Sequence, residues 1–159
     1  MGRFATGALS GAIGTLALDA ATYADIAVRG RAPSSVPADT VGATVAHVGL
    51  SLGDDDETAA HRRTGIGALL GYGTGIAIGT LYGTIRPAAR RFRLPVAGLT
   101  LGATAMIAAN AGAVMAGTTD PRQWSVEEWL DDIVPHLCFG LAAVGAFDVL
   151  DRRTSRGRR

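Results

Sequence analysis

Between Arg63 and Arg86 the chain runs for 22 residues without a charged side chain. A helix rises about 1.5 Å per residue, so that stretch spans about 33 Å, enough to cross a hydrocarbon core of about 30 Å. Gly67, Gly71, Gly75, Gly79 and Gly83 recur inside it at every fourth position. Residues four apart share a helix face, and the spacing predicts a bare stripe on which a second helix can lie in van der Waals contact. Three more apolar segments follow the same plan. Residues 4–28 carry Gly7, Gly11, Gly14 and Thr15; residues 95–117 open on Pro95 and carry Gly98 and Gly102; residues 133–150 begin with Pro135 and His136. The pattern predicts an all-α polytopic membrane protein. Its four transmembrane helices, at about 4–28, 65–85, 95–117 and 133–150, form a single domain, 1–151, followed by a basic tail, 152–159.

The polar connections predict short interfacial helices. In the first long loop, Ser35, Pro37 and Asp39 supply helix-start chemistry, and Ala38, Val41, Val45 and Val48 recur at helical spacing. That pattern fits an amphipathic helix lying on the bilayer surface. The acidic run Asp54, Asp55, Asp56 and Glu57 reads as a solvated turn that caps the helix leading into the second span, with a calcium or magnesium site as the alternative. Further on, Ser125 and Glu128 stand in capping-box order for a short helix over 126–132. Trp124 and Trp129 bracket it and are interface anchors, since indole rings favour the headgroup layer.

Composition and charge narrow the function. The chain is 48% apolar and only 18% charged, with a net charge of +1, which argues against nucleic acid as a partner because phosphate binding needs a concentrated basic face. All 15 basic residues are arginine, and with four spans ten of them fall on the side of the termini against five on the other. Arginine-rich short loops stay in the cytoplasm, so both termini are expected there. The first segment reads as a span or signal anchor rather than a cleaved signal, because Asp19 interrupts it and the apolar pattern continues to Val28. One cysteine, Cys138, allows no internal disulfide, and His47, His61 and His136 lack zinc-site spacing. Neither a G-x-S-x-G elbow nor a phosphate loop occurs. No enzyme activity, metal or cofactor is expected. The expected partners are the lipid bilayer and, through the glycine faces, a second copy or another membrane protein.

Polar groups inside the apolar segments are the candidate functional residues, since a carboxylate near a helix centre costs about 2.5–3.5 kcal/mol on the insertion scale. Asp19 lies about 22 Å along its helix from Phe4, and Asn110 about 22 Å from Pro95, so the two share a depth. His136 enters the fourth segment from the opposite end at a similar level, and Tyr23 stands one turn beyond Asp19 on the same face. Asp19, Tyr23, Asn110 and His136 are therefore expected to form an intramembrane polar cluster. Such a group serves either as a static lock between helices or as a site that takes up and releases protons.

The second half of the chain carries a resemblance. Residues 70–73 (LGYG), 98–102 (GLTLG), 117–121 (GTTDP) and 124–129, together with Pro135, His136 and Gly140, resemble the YagU-like family of small bacterial inner-membrane proteins, and more closely short actinobacterial membrane proteins of the same plan. The resemblance covers residues 67–150, about half the chain. It implies a multi-pass protein of the inner (plasma) membrane and, through the enteric branch of the family, a link to survival of acid. His136 is the matched position with evident proton chemistry.

Overall fold

The computed structural model describes residues 2–89 and 93–156, which form five α-helices and no strand. They are α1 (Arg3–Arg29), α2 (Val36–His47), α3 (Asp56–Ala89), α4 (Leu94–Met115) and α5 (Val126–Arg156). Four of them, all but α2, are long and apolar enough to cross a membrane. This is the all-α architecture the apolar periodicity predicts, and it is compatible with an integral membrane protein.

Local chemistry sets the helix ends. Gly30 stops α1 in the left-handed conformation, φ 66°, with its N–H returned to the Ile26 carbonyl at 2.8 Å. Gly117 does the same after α4, where the N–H of Thr118 reaches the Ala113 carbonyl at 3.0 Å. Asp55 caps α3 by accepting the Thr58 N–H at 2.7 Å, and that backbone bond holds its carboxyl below the usual range. The helix therefore starts at Asp56, nine residues before the expected span, and carries its charged first turns beyond the apolar stretch.

The capping box forms as expected: Glu128 accepts the Ser125 N–H at 2.7 Å, and the Ser125 hydroxyl accepts the Glu128 N–H at 3.2 Å. The helix it starts does not end at residue 132. It continues through Pro135 into one helix of 31 residues, correcting the expected break. Proline removes one backbone donor, and the His136 ring reaches back to the Asp132 carbonyl in the same turn, 2.8 Å away. Of the basic tail, residues 152–156 extend α5. Arg158 and Arg159, like Arg90 and Arg91 of the loop after α3, lie outside the described residues.

The four long helices alternate in direction. Helix α1 packs against α3 and α5, and α4 packs against α5, with a shorter contact between α3 and α4. The core is thin. Phe139, Ala143, Val144 and Phe147 of α5 meet Ile78 and Tyr82 of α3 and Ala97, Leu101 and Ala105 of α4. Tyr82 and Phe147 stack edge to face with centroids 5.6 Å apart. Helix α2 docks on α3 through buried Val41 and backbone near Gly67, and its Thr40 hydroxyl bonds Thr118 at 2.8 Å. It is thus fastened to the bundle as well as amphipathic.

Candidate functional site

Two kinds of arrangement connect the long helices: backbone seams at glycine and polar contacts between side chains. Along α1 and α3 the chains run antiparallel and nearly touch. A methyl group added at Gly7 would sit 2.5 Å from the Gly79 carbonyl oxygen, one at Gly79 would sit 2.5 Å from the Gly11 nitrogen, and one at Gly83 would sit 2.6 Å from the Arg3 carbonyl. Gly75 faces the Thr15 side chain and the Phe139 ring, and Gly67 faces the backbone of α2. Gly71 meets nothing within 4 Å, so the five-glycine stripe is covered at four positions. On the other side of the bundle Gly98 and Gly102 receive α5: a methyl at Gly102 would lie 2.5 Å from the His136 carbonyl, and one at Gly140 would meet the Gly102 nitrogen at the same distance.

The four candidate polar residues divide between two places. Asn110 of α4 donates to Asp132 Oδ2 at 2.6 Å and to its own helix at the Met106 carbonyl, 3.0 Å. His136 Nδ1 lies 2.8 Å from the Asp132 carbonyl and 3.2 Å from Asp132 Oδ1. Both neighbours are acceptors, so Nδ1 carries the proton of the neutral ring and Nε2 is left as an acceptor. Asn110 and His136 thus share one carboxylate, that of Asp132.

Asp19 belongs to a different seam. Its Oδ2 accepts the Tyr72 hydroxyl of α3 at 2.7 Å, and among the described residues it makes no hydrogen bond to Asn110 or His136. Tyr23 is 63% exposed on the outside of α1. A shared depth does not fix which side of a helix a neighbour occupies: α1 lies beside α3 and α5, whereas Asn110 sits on α4.

Ionic contacts close both ends of the bundle. At one end Arg86, 5% exposed, gives Asp148 three hydrogen bonds of 2.7–3.0 Å, and its guanidinium carbon lies 5.8 Å from the Tyr82 ring centre. The Tyr82 hydroxyl is buried there without a hydrogen-bond partner among the described residues. At the other end Arg29 and Arg31 converge on Asp25 and Asp131. Arg29 bonds both Asp25 oxygens at 2.7 Å and also Asp131, while Arg31 bonds Asp25 at 2.6 Å and lies 3.3 Å from Asp131. Trp124 and Trp129 meet edge to face at 5.0 Å, and Trp124 donates its ring N–H to Thr119 at 2.8 Å.

No family model, curated protein or solved structure matches the chain. The residues that sequence reasoning missed are partners rather than candidates. Asp132 ends the short helix expected over 126–132, and Tyr72 stands within the glycine-rich stretch 70–73. Arg86 and Asp148 each carry a visible signal, a lone charge at the border of an apolar run, and that shared signal pairs them.

Proposed function

We propose that the chain is an integral protein of the inner (plasma) membrane, with both termini cytoplasmic and a structural or regulatory role exerted through helix–helix contact. One observation carries this reading: large apolar side chains cover the outside of the bundle, while glycine, serine and threonine are buried beside its thin aromatic core. Leu69 and Ile107 are each 70% exposed, while Thr6, Ser10, Gly7, Gly11, Gly98 and Gly102 fill the interior. Water penalises an outer surface of that kind, and lipid does not. The arginine asymmetry supports the orientation. Kinship with the YagU-like family, and with it a link to acid or envelope stress, rests on the motif residues of α3, α4 and α5 and is part of this proposal.

Flotation tests the reading. Protein reconstituted in phosphatidylcholine vesicles and washed at alkaline pH is expected to float with the lipid; recovery in the aqueous phase overturns it. A second reading, a small proton- or ion-coupled transporter using Asp19 and His136, draws support from the pairing of His136 with the Asp132 carboxylate. Proton flux into such vesicles that His136→Gln abolishes would favour transport, and absence of flux leaves the structural role.

A further inference from the structure

We propose that the surface around Asp19, on the outer side of the α1–α3 seam, docks a transmembrane helix of a partner protein that carries a lysine or arginine at that depth. The inference rests on the membrane reading above and names the kind of partner.

Five aspartates lie within the long helices at or between the ionic ends. Asp25, Asp131 and Asp148 each face arginine, and Asp132 is shared by Asn110 and His136. Asp19 is matched only by a phenol. Its Oδ2 takes the Tyr72 hydroxyl, whereas Oδ1 has no hydrogen-bond partner among the described residues and is not sealed from the surface. Leu16 and Tyr23 flank it on the same face of α1, and Leu69 and Ile76 flank Tyr72 on α3; all four are exposed. The result is a carboxylate at the centre of an apolar rim that faces lipid.

A carboxylate in such a place calls for a cation or a proton. Among the described residues no arginine stands at that level, and His136 is turned to Asp132. Arg29, ten residues further along α1 and so about 15 Å away, is held by Asp25 and Asp131. A second copy related by an axis along the membrane normal would set Asp19 against Asp19. Lipid amines stand at the headgroup level, near the Arg29 end, about as far off as Arg29 itself. A lysine or arginine on an adjacent helix reaches the carboxylate laterally, and the exposed Tyr23 and Tyr72 rings offer the cation aromatic faces as well.

The probe is a single-span host helix of leucines with one lysine at the depth of Asp19, compared with its all-leucine parent. Association with the full chain in phosphatidylcholine vesicles is read by energy transfer from a dye on Ser51→Cys in a Cys138→Ser background. The lysine helix is expected to bind at least about tenfold more tightly than the parent. Asp19→Asn keeps an acceptor for Tyr72 but loses the charge, and is expected to reduce binding to the parent level. Tyr72→Phe retains the carboxyl group and frees its second oxygen, and is expected to keep or raise binding, which preserves the test if Asp19→Asn fails to fold. Equal binding of the two helices, indifference to Asp19→Asn, or displacement of the lysine helix by a few mole per cent of stearylamine overturns the proposal, the last by assigning the surface to lipid amines. Protein that floats with vesicles yet shows no lysine preference defeats the docking surface alone; protein that does not float defeats the membrane reading with it.

Discussion

The half of the bundle near the termini and the half near the long loop are held by different physics. Near the termini, Gly7, Gly11, Gly79 and Gly83 bring two backbones together, Phe147 and Tyr82 fill the remaining space, and Arg86 is buried on Asp148. Near the loop, polar side chains link the long helices: Tyr72 to Asp19, Asn110 and His136 to Asp132, and the partly exposed arginines 29 and 31 to Asp25 and Asp131. Close approach leaves no alternative arrangement, whereas hydrogen bonds and ion pairs can be exchanged. The first half is therefore the scaffold, and the second is where a partner or a proton can change the contacts.

Gly79→Leu breaks this comparison most severely. Its side chain must occupy the position of the Gly11 backbone, and a loss of about 3 kcal/mol or more, or failure to fold, is expected in a detergent unfolding titration. Next comes Asp148→Asn, which withdraws the carboxylate beneath a buried guanidinium. An expected loss of about 3 kcal/mol contrasts with at most about 1 kcal/mol for Asp131→Asn in the more exposed ring, both read by the same titration. Gly71→Ala sharpens the comparison with the opposite sign. The position is open, so the added methyl is expected to stabilise α3 by about 0.5–1 kcal/mol. The smallest effect belongs to the loop before α5, where Arg122 and then Gln123 bond Asp120 and hold its carboxyl far below the usual range. A lowered value contributes above the ordinary carboxyl pKa and is lost only as pH falls through the lowered one. The Arg122 contact is thus expected to survive at pH 4 in a titration followed by NMR.

The four long apolar helices were legible because charge-free length and small-residue spacing are properties of single helices. The start of α3 at Asp55 was legible in kind, since a cap is local. Pro135 misled for a related reason: a proline in isolation ends a helix, but Asp131 and Asp132 before it are tied to Arg29 and Asn110 and Phe139 after it is buried in the core, so tertiary contact holds both parts of α5. The polar cluster was half legible. Residue counting set Asp19, Asn110 and His136 at one level, yet the order of helices around the bundle decides which of them meet, and one sequence carries no direct signal of that order. Tyr72 and Asp132 remained hidden because each looked ordinary on its own element.

Topology tests the central claim most directly, that these four helices cross a membrane in alternating directions. In sealed vesicles, with Cys138 replaced by serine, single cysteines at Gly2 and at Ser51 are treated with a membrane-impermeant maleimide. The account predicts that the two sites react from opposite faces of the membrane. Reaction of both from the same face would contradict it.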